Sequence, residues 1–488
     1  MSETAPTIAE ALALAFAHHQ RGELPQAEGL YRQILAADSR NAEALHLLGV
    51  LTLNTDRVGD AIALIEQAIA VAPNQGVYYS NLGSAYLSAG RQDDARAMLN
   101  HAVHLAPHLA NAHYNLAVAL YNLGRLDESV ASYRRALELD PQDARTHNNL
   151  GNLFGELNKL DESLFHLEEA LKRDPQCTSA LYNRSLGWLK QGRLPEGWQA
   201  YESRWLCPGF TKRETTQPAW SGEPIPNQTL LIHAEQGLGD TIQFIRYLPL
   251  VRTRCPNVIV EVQPGLLPIF QQSGIRGLVA QHTLIPAFDK QLPMASLPRV
   301  FGTTWQTIPR DIPYLQADPE LVNHWRRALA QYKGFKVAIS WQGSPTYRED
   351  RYRSIPLPFF AALARVPGVQ LISLQKGQGT DQIASLRGQF HVLDLGNRLD
   401  ERAGPFMDST AIMKCVDLVI SADTATIHLA GALGVRAWVA LRIGADWRWS
   451  ADAGTSHWYP TMRLFRQRNL GDWAQVFSDL AAELQRLV

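Results

Sequence analysis

The first 206 residues repeat every 34 residues, and this period constrains the fold more than any other feature of the chain. Small residues, prolines and glycines each recur in one register. They are Ala27, Ala61, Ala95, Ser129, Ser163 and Gly197; Pro73, Pro107, Pro141 and Pro175; and Gly90, Gly124 and Gly192. A small residue suits the crossing of two helices, glycine suits the end of a helix, and proline stops the helix before it. The pattern predicts stacked helix pairs, each of which buries its apolar face against its neighbours.

These positions resemble the tetratricopeptide repeat. The resemblance implies an α-helical solenoid over residues 8–206, with about six units that begin at residues 8, 42, 76, 110, 144 and 178. The second unit has Asp56 in place of the glycine, and the first lacks the proline, as is common for units that cap a stack. Because such a solenoid is normally a binding surface, we expect any chemistry in the 282 residues that follow.

Four asparagines share one place in successive units: Asn81, Asn115, Asn149 and Asn183. They fall on the first helix of each pair, which lines the concave side of this kind of solenoid. An amide side chain donates and accepts hydrogen bonds together, so a row of amides can hold an extended polypeptide without selecting its sequence. The repeat arm of O-linked N-acetylglucosamine transferases is similar in this respect. We therefore expect these asparagines to bind a protein acceptor, with local hydrogen bonding inside the solenoid as the alternative.

The last unit is rich in aromatic residues: Trp188, Trp198, Tyr201 and Trp205. These residues suit an apolar cap that docks the solenoid on the next domain, with a sugar-binding platform as the alternative. Residues 207–228 contain four prolines and indicate a linker or strap.

After residue 228 the pattern changes to short apolar runs that alternate with helical segments. The runs are TLLIHA (229–234), NVIVEV (257–262), FKVAISW (335–341), VQLISL (369–374), FHVLDL (390–395), VDLVIS (416–421) and VRAWVAL (435–441). This alternation predicts an α/β fold with parallel sheets, in two Rossmann-like halves at residues 229–330 and 331–488. Ligands then bind at the carboxyl ends of the strands.

The first strand-end turn of interest is HAEQGLGD, which contains Gly237, Gly239 and Asp240. The glycines permit a tight turn and let a ligand approach the backbone closely. Asp240 begins a helix and is a candidate general base. The alternative is that Asp240 only caps that helix.

The second turn follows the strand that ends at Trp341 and contains Gly343, Ser344 and the arginines Arg348, Arg351 and Arg353. A serine hydroxyl and guanidinium groups suit phosphate oxygens, which guanidinium binds in a bidentate way. A solvated basic loop is the alternative.

The third turn is VDLVISADTATIHLAGALG, where Asp423 and Thr424 lie between a strand and a helix. Free backbone N–H groups at residues 426–428 would favour an anion. His428, in the first turn of this helix, would face the same cleft, although a histidine in this position is often structural.

At these turns residues 229–450 resemble the heptosyltransferase-like glycosyltransferases of family 9, which have the GT-B fold. The resemblance rests on GLGD, on RSIPL, and most specifically on ADTATIHLAGALG. Together with the repeats, it is similar to bacterial repeat-bearing proteins of this family. Ala425 stands where the family has glycine, and Arg353 lacks the tryptophan that follows the corresponding basic residue.

The resemblance implies a role for each matching position. Asp240 would be the catalytic base, and the donor-binding residues would be Gly237, Gly239, Ser344, Arg353, Gln375, Lys376, Asp423, Thr424 and His428. Gln375 and Lys376 would lie at the nucleoside ribose. The implied reaction is inverting transfer of a sugar from a nucleotide-sugar. Because the chain has no Asp-x-Asp triplet, we expect neither a metal nor another cofactor.

Three alternatives to transfer onto a protein remain at this stage. The chain is a non-catalytic scaffold with a degenerate transferase domain, or a GT-B sugar-nucleotide epimerase, or a transferase that acts on lipid or oligosaccharide. The repeat arm favours a protein acceptor, since lipid-directed heptosyltransferases have no such arm.

Charge, cysteines and hydropathy exclude several other classes. The net charge of −1 gives no bulk attraction to nucleic acid. The four cysteines form no CxxC or Cys/His cluster, which argues against a zinc site or a disulfide framework. The N-terminal residues have no basic start or continuous apolar core, and no run of 18 apolar residues occurs, so we expect a cytoplasmic protein without a membrane span.

Overall fold

The structure is a computed structural model that describes residues 7–345, 350–386, 388–451 and 454–488. The described chain forms two compact units. The first contains Phe165–Cys177 and the described residues up to Leu153, and the second contains Phe154–Leu164 and Thr178–Val488.

Up to residue 201 the described chain consists of paired helices, nearly all 13 or 14 residues long. The helices are α1 Ile8–Gln20, α2 Leu24–Ala37, α3 Ala42–Asn54, α4 Val58–Val71, α5 Gly76–Ser88, α6 Gln92–Leu105, α7 Ala110–Asn122, α8 Leu126–Leu139, α9 Ala144–Glu156, α10 Leu160–Arg173, α11 Thr178–Lys190 and α12 Leu194–Tyr201. The predicted helical solenoid is therefore confirmed.

The turn inside each pair places one residue in the left-handed region, and these residues lie 34 positions apart. They are Gly22, Asp56, Gly90, Gly124, Asn158 and Gly192, with φ between 58° and 83°. Glycine adopts this conformation without a steric cost, and Asp and Asn tolerate it better than other residues. The small residues of the register also behave as predicted: Ala27, Ala61 and Ala95 are completely buried.

The second unit contains two sheets in which all strand pairs are parallel. Their strands are β1 Thr229–His233, β2 Asn257–Val262, β3 Leu278–Ala280, β4 Lys290–Pro293, β5 Phe335–Ser340, β6 Val369–Ser373, β7 Val392–Leu393, β8 Leu418–Ala422, β9 Ala437–Leu441 and β10 Met462–Arg466. The first sheet has the order β3-β2-β1-β4 and the second β10-β9-β8-β5-β6-β7. Counted from β5, the second order is that of a doubly wound dinucleotide-binding sheet.

All seven predicted strands are present, and the predicted parallel α/β organisation with them. The strands β3, β4 and β10 were not predicted. Strand β3 has only three residues, β4 includes Lys290 and Pro293, and the apolar residues of β10 are interrupted by two arginines. None of them therefore has the apolar run that marked the other strands.

The remaining helices connect the strands and cover the sheets. They are α13 Leu238–Phe244, α14 Leu248–Arg254, α15 Leu267–Gln272, α16 Leu297–Val300, α17 Pro319–Leu329, α18 Asp350–Arg353, α19 Ala361–Ala364, α20 Asp381–Ser385, α21 Met407–Met413, α22 Ala425–Ala432 and α23 Trp473–Gln485. In β5, Val337 and Ile339 belong to one apolar core and Ala338 to another. Both faces of this sheet are thus buried, as is usual for parallel sheets.

The last helix pair, α11 and α12, packs within the second unit. Trp198 is buried against Trp447 and Trp458, and its indole N–H donates to the Thr303 carbonyl at 3.0 Å. These contacts fit the capping function considered for the aromatic residues.

The proline-rich segment 207–228 lies along the edge of the first sheet. Ala219 forms a parallel bridge with Gln291 of β4, and the buried Trp220 donates its backbone N–H to the Gln291 carbonyl at 2.9 Å. The segment is therefore a strap rather than a free linker.

Candidate functional site

The turns after β1 and β8 meet at Gly239 and His428. A Cβ atom on Gly239 would stand 2.8 Å from Cδ2 of the His428 ring, so only glycine fits at this contact. One turn comes from each sheet, and each follows the carboxyl end of its strand. The structure thus brings together two of the three loops that the sequence indicated.

Asp240 is the third residue of α13, and both of its carboxylate oxygens have partners. Oδ2 accepts from the Gly237 backbone N–H at 2.9 Å, which is the capping contact considered as the alternative. Oδ1 accepts from Nη2 of Arg448 in an ion pair. Burial raises the pKa of the Asp240 carboxyl, while the Arg448 guanidinium opposes that rise and Asp446 adds to it. Asp240 therefore caps its helix and also faces the contact between the two halves.

Arg448 is a site residue that the sequence analysis missed. It lies in the short 3-10 helix Trp447–Trp449 after β9, and it bonds Asp446 at 2.8 Å and Gln243 Oε1 at 2.7 Å. The available signal was its position, because residues 442–450 follow the carboxyl end of a predicted strand.

The N-terminus of α22 lies beside Asp423 and Thr424. Thr424 is the N-cap residue with extended backbone, and its side chain makes no capping hydrogen bond. The Ile427 backbone N–H donates to the Thr424 carbonyl at 3.1 Å, so it is not free, contrary to the prediction. The N–H groups before it have no partner inside the helix and are the ones that a ligand can use. Burial raises the pKa of the Asp423 carboxyl to about 6, and the nearby Asp446 adds to this rise. An anion bound beside Asp423 would therefore favour the protonated, uncharged form of this carboxyl group, which forms at a higher pH than for an ordinary aspartate.

His428 is buried, and one side of its ring is fixed by a hydrogen bond. Its Nδ1 is hydrogen-bonded to the Tyr459 hydroxyl at 2.9 Å, and its Nε2 lies 3.9 Å from Oδ1 of Asp423. Burial lowers the pKa of His428 far below its usual value, and Arg448 and Arg246 lower it further. The imidazole is therefore neutral at pH 7.

Arg353 joins the second predicted loop to the third. Its Nη1 donates to the Asp423 carbonyl at 3.1 Å and its Nε to Asp350 Oδ1 at 3.0 Å. Gly343 lies against this guanidinium, since a Cβ there would stand 2.6 Å from Nη2. Ser344 is exposed in the same loop. Arg348 and the side chain of Arg351 lie outside the described residues.

Gln375 and Lys376 hold neighbouring loops in this structure. Oε1 of Gln375 accepts from the backbone N–H groups of Trp341 and Gln342, and its Nε2 donates to the carbonyls of Gln342 and Gln378. Lys376 donates to the carbonyls of Leu399 and Asp400 at 3.2 and 3.1 Å. Their contact with a ribose stays a prediction.

The asparagines of the solenoid take part in hydrogen bonds between repeats. Asn81 Nδ2 contacts His46 Nε2 at 2.7 Å, and Asn149 Nδ2 donates to the Tyr114 hydroxyl at 3.1 Å. Each partner precedes its asparagine by 35 residues. Asn115 is buried on α7, and Asn183 belongs to α11 of the second unit. The local hydrogen bonding considered above is thus present at two positions, and each bond uses one amide nitrogen.

The described residues contain neither a cluster of metal-binding side chains nor a membrane-spanning helix. No group of three His, Cys, Asp or Glu side chains there is arranged to hold a metal ion. No helix there has both the length and the apolar character needed to cross a bilayer.

Several solved structures are similar to part of this chain. A crystal structure of MamA is 23% identical and covers 33% of this chain and 95% of its own, with a TM-score of 0.30. YrrB, described as a TPR protein with an unusual peptide-binding site, is 23% identical and covers 37% and 93%, with a TM-score of 0.32. TTC0263 of Thermus thermophilus is 23% identical and covers 38% and 100%, with a TM-score of 0.33.

The chain is also similar to protein FlbA of Caulobacter vibrioides. The two are 29% identical over 329 residues, which covers 61% of this chain and 53% of FlbA. The match therefore spans about half the length of FlbA. It is longer than the repeat region, so it includes residues of the α/β part.

Family models identify the repeats of the N-terminal region. A model described as TPR repeat matches residues 83–124 and 119–158, and models described as tetratricopeptide repeat match residues 18–86 and 144–177. The models agree with the 34-residue register, and the predicted repeats are thereby confirmed. The N-terminal region of the chain thus consists of tetratricopeptide repeats.

Proposed function

We propose that this chain is a metal-independent inverting glycosyltransferase of the GT-B type. It would transfer a sugar from a nucleoside-diphosphate sugar to a hydroxyl group of a protein held by the repeats. The contact of Gly239 with His428 carries the proposal, because it joins the turn of Asp240 from one sheet to the anion-favouring helix end of the other. Two parallel sheets with strand-end turns in contact are the arrangement that a GT-B transferase needs.

We assign the transfer of the acceptor proton to Asp240. The acceptor O–H gives its proton to the carboxylate, and the oxygen attacks the anomeric carbon from the face opposite the leaving group. The bond from the anomeric carbon to the diphosphate oxygen breaks, and the nucleoside diphosphate leaves with that electron pair. Burial supports this assignment, because it raises the pKa of Asp240 toward neutrality, where a general base is most effective.

The same displacement needs positive charge where the diphosphate leaves. Thr424 is the N-cap residue of α22, whose N-terminal N–H groups and helix dipole favour the growing negative charge. Arg353, bonded to the Asp423 carbonyl, would hold a phosphate oxygen in place of a metal ion. The neutral His428 fits as a hydrogen-bond partner rather than a counter-ion.

The acceptor is assigned to the repeats. Tetratricopeptide repeats suggest protein binding, and the amides of Asn81 and Asn149 each use one nitrogen in a bond between repeats. The carbonyl of Asn81 and the second amide hydrogens leave capacity for the backbone of a bound polypeptide. This part of the proposal concerns substrate choice and not the chemistry.

The first experiment is a thermal-shift panel with ADP, GDP, UDP, CDP and dTDP. The panel is run on wild type, on Asp423→Ala and, as a control, on Asp479→Ala in α23, where the Asp479 side chain is 45% exposed. A ligand that binds only the native state raises the unfolding midpoint. We expect one nucleotide to stabilise wild type and the control but not Asp423→Ala.

The second experiment uses the sugar donor of that nucleotide and a co-expressed acceptor protein. Asp240→Ala is expected to bind the donor and to lose transfer by about 100-fold or more. Wild-type rates in this variant, or loss of activity with chelator and recovery with a divalent ion, would contradict the proposal. Transfer only to lipid or oligosaccharide would remove the protein acceptor from it.

Ala425 favours a second candidate, a non-catalytic scaffold. It adds a methyl group at the first position of α22, where the family has glycine, and so limits the approach of a phosphate. A panel without any shift would support the scaffold, and proteins retained by the repeats would then be sought by pull-down.

A further inference from the structure

We infer that Arg448 is a positioning residue for Asp240, which it holds in one orientation and in the ionised form from the opposite half of the α/β part. The inference deepens the proposed function and rests on it, because it concerns the residue assigned as the base. Asp240 belongs to α13 after β1, and Arg448 follows β9 of the other sheet.

The orientation of the carboxylate is fixed by two contacts in different directions. Gly237 donates its backbone N–H to Oδ2 from within the turn, and Arg448 donates Nη2 to Oδ1 from across the contact between the halves. An ionised carboxylate has about four lone-pair sites. Two are thus used for orientation, which leaves the others for the acceptor hydroxyl.

Arg448 itself is held rigidly. Asp446 accepts from Nη1 at 2.8 Å, Gln243 Oε1 accepts from Nε at 2.7 Å, and the guanidinium carbon lies 4.1 Å from the ring centroid of Trp447. Only 7% of the residue is exposed. A buried guanidinium with these partners is a fixed charge and not a mobile surface group.

The loop of Arg448 is in turn anchored by the last repeats. Lys190 of α11 donates to the Gly444 carbonyl at 3.2 Å and to the Gly155 carbonyl at 3.3 Å. Arg442 lies 3.6 Å from the carboxylate of Glu156 at the end of α9. These helices therefore fix the loop that carries the positioning residue.

The charges around Asp240 decide in which direction the loss of Arg448 shifts the pKa of the Asp240 carboxyl. Arg448 favours its ionised form, whereas burial and Asp446 favour its protonated form, and Tyr201 lies close enough for its own pKa to be raised by Asp240. His428, against Gly239, is neutral. Removal of the guanidinium leaves the influences that favour protonation, so Asp240 should then accept a proton at higher pH.

The direct test follows the Asp240 carboxyl itself and needs no activity. Aspartate side-chain carboxyls are labelled with ¹³C, and the Asp240 signal is assigned by its loss in Asp240→Asn. We expect Arg448→Gln to raise the titration midpoint by about one pH unit or more, and Arg448→Lys to restore most of the difference. Arg463→Gln, which breaks the surface pair with Glu483, should leave it unchanged. An unchanged midpoint in Arg448→Gln would overturn the inference.

The kinetic test separates positioning from donor binding. In Arg448→Gln the acidic limb of the kcat profile should move to higher pH by the same amount as the titration midpoint, with the donor KM within about 2-fold of wild type. A large rise in donor KM with an unmoved limb would make Arg448 a phosphate ligand, and faster transfer would make it an inhibitory contact. Either result would overturn positioning. Absence of transfer in wild type with every donor would defeat the proposed function alone.

Discussion

Gly444 and Glu156 are in backbone contact: a Cβ atom on Gly444 would overlap the carbonyl oxygen of Glu156. Gly444 belongs to the loop after β9, and Glu156 ends α9 of the repeat region. A peptide carbonyl at the end of a helix cannot move aside as a flexible side chain can. The contact therefore demands glycine, and it holds the loop four residues before Arg448.

Gly444→Ala should displace this loop. We expect a loss of about 1–3 kcal/mol in the free energy of unfolding, as for other additions to a packed contact. The titration midpoint of Asp240 should rise as in Arg448→Gln, because the guanidinium withdraws. Gly454→Ala is the matched control, since a Cβ there meets nothing within 4 Å. Equal behaviour of the two variants would exclude an anchoring function for the contact.

Gly239→Ala should damage the candidate donor site. The new methyl group would press on the His428 ring, which the hydrogen bond to Tyr459 holds in place. We expect a loss of about 1–3 kcal/mol in stability and no thermal shift with the nucleotide that stabilises wild type. Gly265→Ala, whose Cβ would have Pro405 as its nearest neighbour at 4.0 Å, serves as the comparison. A normal shift in Gly239→Ala would separate this contact from donor binding.

Replacing glycine with alanine should change the free energy of unfolding in opposite directions in a turn and in a helix of the repeats. Gly90 has a φ of 72° and open space around its Cα, so Gly90→Ala should lower stability by about 1 kcal/mol through backbone strain alone. Gly29 lies in the interior of α2 with equally open space, so Gly29→Ala should raise stability by about 1 kcal/mol. Denaturant unfolding of both variants checks the difference in sign. A change in the free energy of unfolding with the same sign in both variants would refute this prediction.

Asp423 should make stability depend on pH between about 4 and 6. Its pKa is raised in the folded state to about 6, so the native protein binds more protons there than the unfolded chain, and stability falls as the pH rises through this range. Asp423→Asn lacks this loss, so relative to wild type it should gain about 2 kcal/mol between pH 4 and pH 7. Unfolding measured across that range tests the sign, with Asp479→Asn as control. A constant difference would show that the Asp423 carboxyl is not shifted.

Much of the fold was predictable because it follows from local patterns. The repeat register determined the helix pairs, and it marked Gly90 and Gly124 as turn residues with positive φ. Asn158 takes the same conformation without being glycine, so composition alone would have missed that turn. Apolar runs gave seven strands, whereas β4, with Lys290 at its start, depends on pairing with β1.

The candidate site was predictable where it depends on strand ends. Asp240 follows β1, and Asp423 and His428 follow β8, so each lies where a parallel strand presents its ligand-binding turn. The contact of the two turns at Gly239 and His428 joins different sheets and depends on the tertiary fold. Arg448 was not predictable in the same way, because its ion pair joins residues 208 positions apart. The contacts of Gln375 likewise depend on two loops that meet only in the folded chain.

Lys190 donates to the carbonyls of both Gly155 and Gly444, so it ties the end of α9 to the loop after β9. The helical residues that hold the Arg448 loop lie in Phe154–Leu164 or after Thr178, and both of these segments belong to the second unit. The contacts of Glu156 and Lys190 with this loop are therefore internal to one compact unit, so these contacts do not depend on how many repeats precede them.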